Sequence, residues 1–161
     1  MILIGKPKIE DVSDIKKILD QWAGEEYTET HSKRVSEEIE GKTEFNLHFW
    51  IARENKDLVG IIGLSDPLPK VLTFTRTEKP AEIKILYVDK SQQSKGIGRT
   101  LVSFIEDEAE RQGYTELLVR SAEKYKDISW GFYQKLGYVK VGSLVDPKIG
   151  EAMQVFEKKL L

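Results

Sequence analysis

Tyr87 to Phe104 reads YVDKSQQSKGIGRTLVSF. A β-branched and aromatic run ends at Val88, a polar run follows, and Ile97, Leu101, Phe104 and Ile105 then recur at helical spacing. The stretch predicts a strand, a polar turn and a helix, with Gly96 and Gly98 at the turn-to-helix junction. The first-turn amides of a helix have no intrahelical partner and carry the positive end of the dipole. Glycines there let a diphosphate approach those amides without meeting a Cβ, and Lys95 and Arg99 add positive charge. A tight turn that needs glycine only for its dihedral angles is the plainer alternative. A dinucleotide fold fits poorly, because its third glycine falls at Leu101 and an opening β-α-β is absent at the N-terminus.

Outward from this junction, the pattern gives an order β-α-α-β-β-β-α-β-α-β-β. ILIGKPKI opens as a strand, and Asp11 is expected to cap a helix carrying Val12, Ile15, Ile18, Leu19 and Trp22 on one face. A second helix is expected from about His31 to Glu40, stopping at Gly41, with Trp22 to Ser32 as the connection. LHFWIARENKDLVGIIGL reads as a hairpin around ENKD. Ser65 to Ala81, with Pro67, Pro69 and Pro80 around a strand-like VLTFT, is long for a connection, and long loops more often carry function. EIKILYV is a strand. After the Ile97 helix, which ends at Gly113, YTELLVR is a strand, KDISWGFYQKLG a helix closed by Gly137, and YVKVGSL and AMQVFEKKL the last strands. Hairpins around a central β-α-β unit predict an α/β fold, a mixed sheet with helices on its faces.

The chain has 161 residues, 40% hydrophobic and 32% charged, which suits one soluble domain, residues 1–161. A formal net charge of −2 supplies no general field for nucleic acid, so an anion site has to be local. No apolar run is long enough to span a bilayer, and ILI follows Met1 with no basic leader, so no membrane or secretory address is expected and a cytoplasmic location is the default. With no cysteine there is no disulfide, thiolate metal site or Cys nucleophile. His31 and His48, in different segments, read as one solvated helix residue and one strand residue, and no metal site is expected.

Gln93-Ser94-Lys95-Gly96-Ile97-Gly98 resembles the Gln/Arg-x-x-Gly-x-Gly/Ala signature of the GNAT superfamily of acyl-CoA-dependent N-acyltransferases, with Val88 at the family's strand-end position. FYQKLGY, Phe132 to Tyr138, is similar to the family's later helix segment, whose tyrosine lies near the coenzyme A sulfur. The element order resembles the family's over nearly the whole chain. Two positions depart: Lys126 stands where many relatives have asparagine, and Lys90 where many have proline.

The resemblance implies a GNAT-type mixed, mostly antiparallel sheet with helices on both faces. It also implies N-acetyl transfer from acetyl-CoA to a primary amine by direct attack in a ternary complex. Gln93, Ser94, Lys95, Gly96, Ile97, Gly98 and Arg99 would hold the pyrophosphate, and Leu86, Tyr87 and Val88 the pantetheine arm. Lys126 and Lys135 are candidates for the cofactor's remaining contacts. An alkylammonium with a pKa of about 10.4 has no lone pair at neutral pH, so a base is needed, and Glu82 is the candidate. Tyr133 would donate to the departing thiolate. Glu25, Glu26 and Glu29 would attract a cationic acceptor, a small amine or a peptide amine. An acyl-CoA-binding regulatory module or pseudoenzyme is the rival reading. Neither nucleic acid nor membrane is an expected partner, and a homodimer is compatible with the pattern.

Overall fold

The computed structural model describes residues 1–161 except Ala23, Lys148, Ile149 and Leu161, and except the side chains of Glu25, Glu26 and Asp146. Seven strands, β1 (Ile2–Gly5), β2 (His48–Glu54), β3 (Asp57–Ser65), β4 (Pro80–Val88), β5 (Glu116–Ala122), β6 (Val139–Asp146) and β7 (Glu151–Lys159), form one sheet in the order β1-β2-β3-β4-β5-β7-β6. It is the mixed, mostly antiparallel sheet the sequence predicts, with β4 and β5 parallel. Among the described residues, four α-helices accompany it: α1 (Val12–Trp22), α2 (Gly24–Ile39), α3 (Ile97–Arg111) and α4 (Gly131–Lys135). Among the described residues, no helix is long and apolar enough to cross a membrane. The chain divides into two compact units, Met1–Ser65 with Ile85–Ile105 and Asp66–Lys84 with Glu106–Leu161, so that β4 contributes to both.

In the first unit, the β2–β3 hairpin is the one predicted, turning at Asn55 and Lys56. The apolar stripe of α1 buries Ile15, Ile18 and Leu19 against Val35 of α2 and Phe49 and Ile61 of the hairpin. Two expectations need correction. Asp11 does not cap α1 directly; it ends a 3-10 turn, Ile9–Asp11, and its carboxylate accepts the Lys8 amide at 2.8 Å and pairs with Arg53. Burial would raise this carboxyl's pKa, but the Lys8 amide and the Arg53 guanidinium outweigh it and hold it below the ordinary value. The second helix starts at Gly24, not His31, so most of the expected connection is helical.

In the second unit, VLTFT is not a strand. Pro69–Phe74 forms a 3-10 helix, entered through extended Leu68 with proline at its first turn. Val71 anchors it, fully buried against Leu118 and Val155. Two carboxylates hold its flanks: Glu82 accepts the Leu68 amide (3.3 Å), and Glu116 accepts the Arg76 and Thr77 amides (3.0 Å each). The chain is kept in a turn because its backbone donors are satisfied by buried side chains instead of by a ladder.

Phe74 packs where Gly142 of β6 has no side chain; a Cβ there would lie 2.3 Å from the Phe74 ring. Gly142→Ala is therefore expected to destabilise the protein by about 1–3 kcal/mol, the cost of overpacking. Shortening the ring with Phe74→Leu should recover part of that loss in the double variant. Denaturant unfolding of the four proteins measures it, and strictly additive effects would contradict the contact.

Candidate active site

The loop that follows β4 is built in three steps. Asp89 accepts the Ser91 amide and hydroxyl, both at 2.9 Å, closing a 3-10 turn over Lys90–Gln92. The Ser91 amide, with further donors from the Ser91 hydroxyl and Gln21, holds the Asp89 carboxyl below its ordinary pKa against the effect of burial. Ser94 (φ +65°) and Gly96 (φ +80°) then turn the backbone through the left-handed region. α3 begins at Ile97, with its first bond from the Thr100 amide to the Gly96 carbonyl at 3.0 Å.

By that register, the Ile97, Gly98 and Arg99 amides have no carbonyl four residues back to meet. A Cβ on Gly96 would meet no atom within 4 Å, so the space above the turn is open, while φ +80° disfavours any residue but glycine. Lys95 and Arg99 are exposed beside it. An open cradle of first-turn amides with cations at its rim fits a diphosphate. Gln93 turns its amide back to the Val88 carbonyl at 3.3 Å, so its side chain braces the loop.

β4 itself is irregular at the middle. Its ladder with β5 covers Pro80–Ile83, and the strand continues to Val88 past Ile85, a β-branched residue at φ +54°. A β-branched residue in that region costs on the order of 1–3 kcal/mol, and such strain clusters at ligand sites. Leu86, Tyr87 and Val88, the residues expected along the pantetheine arm, follow this bend and are half-buried.

Glu82 and Tyr133 belong to the second unit. Glu82 is 1% exposed, and one carboxylate oxygen accepts Arg120 Nε at 2.7 Å while the other accepts the Leu68 amide. It is a paired carboxylate and not the exposed strand-end group its position suggests. Tyr133, on α4, is buried among the rings of Phe132, Tyr138 and Phe156, with centroids 5.2 to 5.9 Å away. α4 is preceded by a π-helical turn, Lys126–Trp130, a rare geometry that is frequent at functional sites. Lys126 Nζ lies 5.8 Å from the centre of the Trp130 ring, and Lys135 is exposed at the end of α4.

The acidic cluster is placed differently from expectation. Glu29 lies on α2 and is ion-paired with Lys16 of α1 at 2.8 Å, and the side chains of Glu25 and Glu26 lie outside the described residues. His31, expected in solvent, is instead mostly buried beside Tyr27 and Tyr87, with ring centroids 6.0 and 6.4 Å away. Burial, and then the charge of Arg34, lower its pKa to about 4.

The sign of the His31 effect follows directly. Between about pH 4 and 6.5 the unfolded chain binds a proton that the folded chain refuses, so stability is complete above 6.5 and falls as pH drops towards 4. The loss reaches at most about 3 kcal/mol. Thermal unfolding from pH 7 to 4 should show this slope in the natural protein and a flatter one in His31→Phe. An unchanged slope in the variant would contradict it.

Sequence reasoning missed Gln21, Trp22 and Arg120. Trp22 fits an apolar stripe, but its indole N–H donates to the Val88 carbonyl at 2.8 Å, while Gln21 accepts the Lys90 amide at 2.8 Å. No local spacing announces contacts to residues 66 and 69 positions away.

Residues 14–138 match the family model described as the acetyltransferase (GNAT) family. Human N-acetyltransferase 8B is 31% identical over 97 residues, covering 58% of this chain and 39% of that protein, so the chain spans well under half of this curated relative's length. The fold is shared with a GNAT-family protein of known structure from Desulfovibrio desulfuricans (TM-score 0.83, 17% identity, all of both chains). It is shared too with an aminoglycoside 6'-N-acetyltransferase complexed with coenzyme A (TM-score 0.75, 18% identity, 99% of this chain and 97% of that one). With the family model matching most of the chain, and the predicted order of strands and helices along the chain in place, this protein belongs to the GNAT acetyltransferase family.

Proposed function

We propose that this chain is a single catalytic domain that transfers an acetyl group from acetyl-CoA to a primary amine, by direct attack in a ternary complex. The observation that carries the reading is the open amide cradle at Gly96–Arg99, in the glycine loop that resembles the family signature. Gln93 to Arg99 hold the pyrophosphate, Leu86 to Val88 the pantetheine arm, and Lys126 and Lys135 are the remaining cationic candidates. Acetyl-CoA supplies a thioester carbon already activated for attack. Without cysteine the chain lacks one route to an acyl-enzyme, which agrees with direct transfer.

The remaining chemistry is proton management. The acceptor ammonium has to lose a proton, and the thiolate is stabilised as it leaves. Tyr133 is the donor to sulfur. A phenol of about pKa 10 is a weaker acid than a thiol of about 8.5, so complete transfer is uphill by roughly 2 kcal/mol, and a hydrogen bond to the developing charge is the role we assign.

Glu82 is the base. Arg120 and the Leu68 amide take one lone pair on each of its oxygens, so the proton arrives at a remaining lone pair through water. Glu82→Gln should lower kcat/KM at neutral pH by about 10-fold or more, with recovery as pH rises and free amine accumulates. A constant fractional loss across pH, together with a lowered Tm, would instead assign Glu82 to holding the Leu68 segment.

On the acceptor side we place Glu25, Glu26 and Glu29, which favour a cationic small amine or peptide amine; Glu29 engages it by exchanging Lys16. Release of free thiol from acetyl-CoA with a panel of small amines and peptide N-termini tests the function. Amine-dependent release supports it. Coenzyme A binding without release for any amine would favour the alternative, a module that senses acyl-CoA.

A further inference from the structure

The end of α1 and the loop after β4 are joined residue by residue. Trp22 Nε1–H donates to the Val88 carbonyl (2.8 Å), Gln21 Nε2 reaches Asp89 Oδ1 (3.5 Å), and Gln21 Oε1 accepts the Lys90 amide (2.8 Å). Lys90 Nζ then sits 4.6 Å from the centre of the Trp22 ring, a cation–π contact.

The other described side-chain bonds on the loop are its own: Gln93 Nε2 to the Val88 carbonyl (3.3 Å), Lys95 Nζ to Gln92 Oε1 (3.0 Å) and the Ser91 amide and hydroxyl to Asp89 (2.9 Å each). Lys90, Ser91 and Gln93 to Gly96 are all exposed, and apart from its own internal turn the described backbone bond that anchors its start runs from the Asp89 amide to the Val59 carbonyl, 2.9 Å. Lys90 gives the arrangement its sense. Proline at this position would offer no N–H for Gln21 to accept and no ammonium to place over Trp22.

We infer that Gln21 and Trp22 are positioning residues for acetyl-CoA: acting through Lys90 and Val88, they hold the loop ahead of the Gly96–Arg99 cradle in its binding shape. This rests on the proposed function. A loop that is competent only part of the time binds more weakly in proportion to that fraction, so the clamp acts on affinity for the cofactor and not on the chemical step.

The test measures coenzyme A affinity by calorimetry and acetyl-CoA KM and kcat in the natural protein, Gln21→Met, Trp22→Phe, Lys90→Pro and Gln21→Met/Lys90→Pro. Gln21→Met and Trp22→Phe should each weaken coenzyme A binding and raise KM about 5- to 30-fold, with kcat at saturation within about twofold. In the Lys90→Pro background, where its amide partner is gone, Gln21→Met should add less than about twofold.

Persistence of the full Gln21→Met effect in that background would overturn the Gln21–Lys90 link. Should Lys90→Pro fail to fold, unchanged affinity in both single α1 variants overturns the inference by itself. If the natural protein does not bind coenzyme A, the inference falls together with the function it rests on. Binding that is equal in all variants overturns the inference alone.

Discussion

Gly98→Glu is expected to abolish the stabilisation that acetyl-CoA gives the natural protein. A ligand that binds only the folded state stabilises it by mass action, by about 2.7 kcal/mol at a hundredfold excess over Kd, and so raises Tm. Gly98 stands in the first turn of α3, half-buried, outside the left-handed region of the backbone, so a glutamate there is compatible with the helix. Its carboxylate itself would satisfy the positive helix end that the diphosphate needs, and would repel the ligand. The variant should thus unfold at a temperature close to that of the ligand-free natural protein, and the shift with acetyl-CoA should vanish. A full shift in a folded Gly98→Glu protein would remove the anion site from α3.

The second large effect concerns Tyr133. Tyr133→Phe keeps the ring among Phe132, Tyr138 and Phe156 and removes only the hydroxyl. Losing an interaction made chiefly as charge develops on sulfur lowers kcat without much change in ground-state binding. We expect kcat to fall about 10- to 1,000-fold while coenzyme A affinity stays within about threefold. A Tm shift with unchanged kcat would make Tyr133 a packing residue. Equal losses in affinity and rate would place its hydroxyl on the bound cofactor instead of on the leaving group.

What the sequence revealed depended on how local the determinant was. The junction at Gly96 was legible because a strand end, a polar turn and a 3.6-residue period meet within eighteen residues, and the helix amides follow from that geometry alone. VLTFT misled because its β-branched and aromatic residues favour strands, whereas Pro69 opens a turn and Val71 is buried from it.

The start of α2 was hidden for another reason. Thr28 and Ser32, 1% and 5% exposed, line its buried face, their hydroxyls returned to the Gly24 and Glu29 carbonyls at 3.0 and 3.2 Å. A helix that buries satisfied hydroxyls shows only a weak apolar stripe in sequence. The Arg120 partner of Glu82 and the α1 clamp on Lys90 were illegible altogether, since they join residues 38 and 69 positions apart.

Direct passage of an acetyl group from acetyl-CoA to an amine is the proposed reaction. It is tested most directly by a single-turnover experiment with acetyl-labelled acetyl-CoA, protein in excess and an amine found active in the thiol assay. The mixture is quenched over time, and label is counted on amine, protein and cofactor. Under direct transfer, label leaves the cofactor only when amine is present and appears on the amine at the same rate, with none held covalently by the protein. Label accumulating on the protein before the amine, or leaving acetyl-CoA at the same rate without amine, would contradict it.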